Sequence, residues 1–83
     1  MLQFGRTNKM YGYILERSGV HWDERFWFDI PSVNKRGFGS DVRARIFLSK
    51  EEAMTASKYV NDELGVHTTV VKRSDLYPPM WSI

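Results

Sequence analysis

The sequence predicts a single α+β domain in which one helix packs on one face of a four-stranded, mostly antiparallel sheet, in the element order β-β-β-α-β. Three observations support this prediction: a strand-like alternation that leads directly into a capped amphipathic helix, two aromatic-rich extended runs before it, and one β-branched run after it. With 83 residues and 42% hydrophobic residues, the chain is long enough for one modest core. Residues 1–83 are therefore expected to form one domain, with irregular termini at 1–10 and 74–83.

Two extended runs are predicted in the first part of the chain. The first, YGYILER at residues 11–17, ends at a Ser-Gly turn signal, and the second, RFWFDI at residues 25–30, ends before Pro31. The alternation of the second run divides its side chains between two faces. One face holds Phe26, Phe28 and Ile30, and the other holds Arg25, Trp27 and Asp29. Residues 31–41, rich in Gly, Ser and Asn, are predicted to form the longest loop.

The third strand and the helix are predicted together at residues 42–65. Alternation over residues 42–48 puts Val42, Ala44, Ile46 and Leu48 on one face and Arg43, Arg45 and Phe47 on the other. Ser49 and Glu52 then form a capping-box pattern. Gly65 follows the last apolar residue of the helix, where a left-handed C-cap conformation is more favourable for glycine than for other residues. Apolar residues recur at helical spacing in between, which predicts a helix over residues 50–64.

The final strand is predicted at residues 66–73, VHTTVVKR, because β-branched residues dominate it. If the first three strands form an antiparallel meander and the helix returns the chain, this strand runs parallel to strands one and three. It then pairs with one of those two strands at an edge of the sheet, and the sequence favours neither. Pro78 and Pro79 exclude a helix or a central strand from the tail.

One helix covers only one face of a four-stranded sheet, so the other face is expected to be available for contact. If Phe26 and Phe28 face the helix, Trp27 and Phe47 face away from it among arginines, and Trp and Arg are enriched where partners dock. The predicted loop at residues 31–41, which carries Lys35 and Arg36, adds to this surface. The predicted partner-binding residues are Arg25, Trp27, Lys35, Arg36, Phe38, Arg43, Arg45 and Phe47. Two alternatives stay open: the tail covers Trp27 and Phe47 through Tyr77, Met80 and Trp81, or the protein forms a homodimer through this face or an edge strand.

Composition and charge narrow the function classes. The chain has no Cys, no apolar run long enough to span a membrane and no signal-peptide pattern, so a cytoplasmic protein with no membrane partner is expected. Residues 1–50 hold nine Lys and Arg against five Asp and Glu, whereas residues 51–83 hold three against five. This imbalance suits an electropositive sheet face and argues against an acidic mimic of nucleic acid.

The sequence contains no specific catalytic or metal-binding pattern. His21, Asp23 and Glu24 could offer metal ligands together with His67, but without Cys or a fixed helical spacing they are expected to form a solvated turn and an ordinary strand histidine. Carboxylate pairs such as Glu51-Glu52 are chain neighbours, which do not face each other on a helix. We therefore expect no catalytic residue, no metal site and no cofactor, and a protein that is not an enzyme.

The basic loop resembles part of a nucleic-acid-binding signature. Arg36, Gly37, Phe38 and Gly39 are similar to the start of the ribonucleoprotein signature of RNA-recognition domains, but Ser40 and Asp41 stand where Phe and Val are needed. That family also needs a helix between its first two strands, and residues 18–24 are too few to hold one. Nucleic-acid binding without that fold is the alternative function, a small regulator of DNA or RNA. It would use phosphate contacts from Arg25, Lys35, Arg36, Arg43 and Arg45 and stacking on Trp27 and Phe38.

A second resemblance covers residues 11–73. The pattern consists of Tyr13-Ile14, Trp22, Phe26-Trp27 and Asp29, followed by Ala44-Arg45-x-Phe47-x-Ser49-x-Glu51-Glu52-Ala53 and Val70-Val71. It resembles that of many small bacteriophage-encoded proteins that inhibit host machinery, including anti-CRISPR proteins. The resemblance implies a binding protein that occludes a surface of a host protein or ribonucleoprotein complex, such as a CRISPR-Cas effector. It carries over no individual site residue.

Overall fold

A computed structural model describes residues 10–76 of the chain. It confirms the predicted α+β class, with one helix and a four-stranded antiparallel sheet in the spatial order β3-β2-β1-β4. The strands are β1 (Met10–Glu16), β2 (Phe26–Ile30), β3 (Lys35–Gly39) and β4 (Thr69–Leu76), and the helix is α1 (Lys50–Leu64). Three short 3-10 turns lie at Trp22–Glu24, Pro31–Val33 and Asp41–Arg43.

The helix begins and ends where the local sequence predicts. The Ser49 hydroxyl accepts a hydrogen bond from the Glu52 amide at 3.1 Å and donates one to the Glu52 carboxylate at 3.3 Å. At the other end, Gly65 has a φ of 68°, and its amide donates to the Asn61 carbonyl at 2.9 Å. Both helix ends therefore satisfy backbone groups that would otherwise lack partners.

The position of the third strand was predicted wrongly. Residues 42–48 contain the end of a 3-10 turn, an irregular stretch and a single bridge at Phe47, whereas the predicted loop contains the regular strand β3. Asn34 has a φ of 53°, and this left-handed conformation closes a tight connection that places β3 directly opposite β2. The loop prediction failed because it treated the glycines as a loop signal and did not recognise the tight turn at Asn34.

The direction of the last strand was also predicted wrongly. β4 pairs with β1, one of the two partners left open, but the pairing is antiparallel, from Met10↔Leu76 to Glu16↔Thr69. Residues 40–48, which we call the connector, cause the difference. The connector runs back beside β1, where Phe47 forms an antiparallel bridge with Tyr13. This extra pass adds one reversal of the chain before the helix.

The connector also separates the sheet into two halves. β1 and β2 pair directly in register only at Glu16↔Phe26. Farther along, the connector lies between them: Phe47 exchanges two backbone hydrogen bonds with Tyr13, at 2.8 and 2.9 Å, and the Arg45 amide donates to the Trp27 carbonyl at 2.9 Å. One half is therefore the β1–β4 pair, and the other is the β2–β3 hairpin.

Apolar side chains form a cluster on each side of the sheet. The helix-side cluster consists of Leu15, Trp27, Phe47, Ala53 and Val60. The reverse-side cluster is built on Ile14, Ala44 and Leu76, with Met10, Phe26, Ile46 and Val71 packed against it. The connector thus covers part of the reverse side of the sheet, next to β1.

An ion-pair network holds the connector against β4. The Arg73 guanidinium lies 2.9 Å from the Asp75 carboxylate and 3.3 Å from the Asp41 carboxylate. The hydrogen bond to Asp75, followed by the one to Asp41, raises the pKa of Arg73 against the opposing effect of burial. Arg73 therefore keeps its positive charge at every physiological pH.

The expected irregular termini were placed too far into the domain. Met10 belongs to β1, and residues 74–76 belong to β4. The rest of those segments, and the alternative in which Tyr77, Met80 and Trp81 cover the sheet, fall outside the described residues. Between Met10 and Leu76, no helix has both the length and the apolar character needed to cross a bilayer.

Candidate functional site

The side of the sheet predicted to be open is the side that the helix covers. Trp27 is 1% exposed and Phe47 is 7% exposed, and both pack in the helix-side cluster with Ala53 and Val60. The assignment of these two aromatic residues to an exposed face is therefore wrong. The alternation in β2 was predicted correctly, but its two faces were exchanged, because alternation shows which side chains share a face and not which face the helix covers.

The apolar residues that were predicted to face the helix have three different environments. Ala44 is 1% exposed and Ile46 is partly buried, and both lie in the reverse-side cluster. Val42 and Leu48 are each 73% exposed. Phe26 and Phe28 lie on the reverse side of the hairpin and are partly exposed. None of these side chains therefore belongs to the helix-side cluster.

Two of the predicted arginines are engaged within the domain. Arg45 forms an ion pair with Asp29, and its guanidinium lies 5.2 Å from the centre of the Phe47 ring. Arg25 lies 3.8 Å from the Glu16 carboxylate. Both charges are compensated, so these side chains have a structural contribution within the fold.

Phe38 lies on the helix side of the hairpin and is covered from two directions. Its ring meets the Trp27 ring edge-on, with centroids 5.4 Å apart. The Arg17 guanidinium lies 4.1 Å from the centre of the Phe38 ring. Arg17 was not among the predicted site residues, and its position at the end of β1 gives no signal in the sequence that it would cover an aromatic ring.

Three predicted cations differ from the others because they are exposed and have no acidic partner. Lys35, Arg36 and Arg43 form no ion pair with any carboxylate in residues 10–76. Arg36 donates to the Tyr59 hydroxyl, which leaves its charge uncompensated. All three residues belong to β3 or to the turn that follows it. The hairpin therefore presents a local excess of positive charge.

The reverse side of the hairpin combines apolar side chains with glycines, and we call it the glycine face. Its members are Phe26, Phe28 and Ile30 in β2 and their cross-strand partners Gly39, Gly37 and Lys35 in β3. The Phe28 ring lies beside the side-chain-free positions of the two glycines, 3.7 and 3.5 Å from where their Cβ atoms would be. Lys35 flanks one end of this face, and the Arg43 side chain lies beside Gly39 at the other. The sequence prediction missed this face because it turned Phe26 and Phe28 toward the helix.

Polar groups elsewhere in the described chain do not assemble into a reactive centre. His21 Nδ1 lies 2.7 Å from the Asp23 carboxylate in an exposed turn. Across residues 10–76, no three His, Asp or Glu side chains come together as metal ligands would. Open clefts of about 420 and 320 Å³ lie beside Tyr11 and beside His67, respectively.

No known protein family, curated protein or solved structure significantly matches this chain. Within the described residues, the glycine face and its flanking cations combine half-exposed apolar surface with uncompensated charge.

Proposed function

We propose that the protein is a non-enzymatic binding protein that docks its glycine face on an acidic surface of a host complex. One observation carries the proposal: a partly exposed apolar strip, centred on Phe28, is bordered by Lys35 and Arg43, which have no acidic partner within the described chain. Arg36, also without an acidic partner there, lies on the helix side of the same edge strand and adds to the positive charge of the hairpin. An apolar centre with a charged rim is the usual anatomy of a protein–protein interface. The unpaired cations specify a partner rich in carboxylates.

The two glycines support the same proposal. Neither Gly37 nor Gly39 has a positive φ, and an added Cβ at either position would make only ordinary van der Waals contact. The fold therefore has room for a side chain at both positions. Glycine in a strand often marks a place where another backbone approaches closely. Gly39 is buried, whereas Gly37 is partly exposed, so the space beside Phe28 at Gly37 is available to a docking partner.

The distribution of rings favours a protein partner over nucleic acid. Non-specific binding of single strands relies on aromatic rings that are open to stacking. Trp27 is buried, and Phe38 is covered by Trp27 and Arg17. The nucleic-acid alternative stays a prediction. Its check is the salt dependence of binding, because phosphate contacts weaken steeply as salt rises.

The most specific form of the proposal is a bacteriophage-encoded inhibitor of a CRISPR-Cas effector. The likeness to small phage proteins over residues 11–73 supports this form. CRISPR effectors hold their guide and target in a positively charged channel, which would repel Lys35, Arg36 and Arg43. Inhibition would therefore act by occlusion from an acidic surface outside the channel and not by imitation of nucleic acid.

The test is phage plating on bacterial strains that carry different CRISPR-Cas types and express the protein. We expect the wild type to restore plaques on at least one strain. The triple variant Lys35→Glu, Arg36→Glu and Arg43→Glu should abolish this effect and the association with the purified effector. The matched control, Lys50→Glu, Lys58→Glu and Lys72→Glu, makes the same change in net charge on other exposed positions and should retain activity.

Each result of this test has a defined meaning. If the wild type restores plaques on no strain, the proposed inhibition of CRISPR-Cas effectors is wrong. If both triple variants lose activity equally while remaining folded by circular dichroism, net charge matters and the proposed surface does not.

A further inference from the structure

The two edges of the sheet differ in regularity. β3 forms one edge and pairs with β2 in unbroken register from Phe26↔Gly39 to Ile30↔Lys35. β4 forms the other edge, and its pairing with β1 shifts register between Met10 and Gly12. Bulges and irregularities of this kind blunt an edge against further pairing. β3 is therefore the more regular edge for the addition of another strand.

The backbone groups that point outward from β3 can be assigned from one hydrogen bond. The Trp27 carbonyl accepts from the Arg45 amide, on the side of β2 that faces away from β3. In a strand, the amide and carbonyl of one residue point to the same side, so Trp27 and its partner Phe38 do not bond to each other. The amides and carbonyls of Phe38 and Arg36 therefore point away from the sheet.

These outward groups have no hydrogen-bond partner in residues 10–76. None of the backbone hydrogen bonds outside the regular elements uses Arg36 or Phe38. The Trp22–Glu24 turn packs against β3 but makes no backbone hydrogen bond to it. The edge thus offers two donors and two acceptors at the spacing of a β ladder.

We infer that β3 accepts a fifth strand, supplied by an extended acidic segment of the partner. This inference rests on the proposed function and specifies how the partner docks. Positive charge selects the occupant: two copies of this protein paired edge to edge through β3 would place four cations, Lys35 and Arg36 of each copy, along one short ladder, whereas an acidic strand neutralises them. Addition of a strand to an exposed sheet edge is a common mode of peptide recognition.

The side chains along β3 specify the order of residues in the incoming strand. An antiparallel neighbour places apolar residues opposite Phe38 and Gly37, where they meet the Phe38 ring and the space beside Phe28. Its next two residues lie opposite Arg36 and Lys35 and should be acidic. The expected partner segment therefore has two apolar residues followed by two carboxylates.

The test is a titration of the ¹⁵N-labelled protein with the synthetic peptide Thr-Val-Val-Glu-Glu-Thr. We expect a weak, saturable complex in which hydrogen exchange slows at the amides of Arg36 and Phe38 but not at the amide of Gly37, which bonds to β2 in the free protein. The control peptide Thr-Val-Val-Lys-Lys-Thr should produce no change. Lys35→Gln with Arg36→Gln should weaken binding severalfold, whereas Lys50→Gln with Lys72→Gln should leave it unchanged.

Failure of this inference is distinguishable from failure of the proposed function. Shifts at Phe28 and Lys35 without slower exchange at Arg36 and Phe38 would show that the glycine face binds while the edge does not. That result overturns strand addition and leaves the proposed function intact. No shift anywhere on the hairpin overturns strand addition, and protection that grows with protein concentration without peptide assigns the edge to a second copy.

Discussion

The β1–β4 half and the β2–β3 hairpin use the same sheet in different ways. In β1, the adjacent residues Ile14 and Leu15 are both 0% exposed, because the helix covers one side and the connector covers the other. In β2, Trp27 is buried while its neighbour Phe28 is partly exposed. The first half therefore supplies stability on both faces. The second half supplies stability on one face and leaves the other, which is the face proposed for binding, partly exposed.

The largest expected effect compares the two faces of β2. Trp27→Ala should lower the free energy of unfolding by about 3–5 kcal/mol, because it removes a fully buried ring and leaves a cavity. Phe28→Ala should cost roughly half as much or less, since part of its ring is already in water. Urea denaturation measures both values.

Trp27→Phe provides a milder comparison, because a chain of 83 residues has little stability to lose before its unfolding curve is incomplete. Equal costs for matched truncations at Trp27 and Phe28 would contradict the division of β2 into a core face and a recognition face.

The next effect compares a glycine in each half. A Cβ added at Gly12 would lie 2.4 Å from Ile46 Cγ2 and 3.4 Å from the Phe47 carbonyl oxygen. Gly12→Ala should therefore destabilise the fold by about 1–3 kcal/mol. A Cβ added at Gly37 meets only the Phe28 ring, at 3.7 Å. Gly37→Ala should therefore leave the stability of the fold unchanged or raise it by up to about 1 kcal/mol, because alanine lowers the conformational entropy of the unfolded chain.

A larger substitution at Gly37 separates the effect on stability from the effect on binding. Gly37→Val should keep the thermal midpoint near that of the wild type and weaken partner binding at least tenfold, because the larger side chain fills the space beside Phe28. Binding that survives Gly37→Val at full strength would place the docking surface elsewhere.

The smallest effect concerns the attachment of the connector to β4. Asp41→Asn removes a carboxylate that lies 3.3 Å from Arg73 in a partly exposed network. The expected loss of unfolding free energy is about 0.2–1 kcal/mol, smaller at high salt. Thermal unfolding at low and high salt provides the measurement, and a loss that does not change with salt would argue against a mainly electrostatic attachment.

The helix could be predicted from the sequence because its signals are local. Ser49, Glu52 and Gly65 act within one turn of the helix ends, so no distant contact is needed to recognise them. β3 could not be recognised in the same way. Gly37 and Gly39 have low strand propensity, and they are accommodated because Phe28, on another strand, lies beside them.

The candidate site could be predicted only in part for a related reason. Alternation shows which residues share a face, but it does not show which face the helix covers. Aromatic residues occupy both sides of β2, so Trp27 and Phe28 were equally suited to the core by composition. The exposure of Lys35, Arg36 and Arg43 could be predicted, because basic side chains need no long-range packing to remain exposed.

The antiparallel pairing of β1 with β4 has a consequence for the order of events during synthesis. β1 is among the most deeply buried strands, yet Phe47 and β4, its neighbours on either side, are made long after it. The apolar residues of β1 therefore stay exposed until these later segments are synthesised, and strand pairing between residues distant in sequence forms slowly. During translation, this early segment is where a chaperone would be needed most.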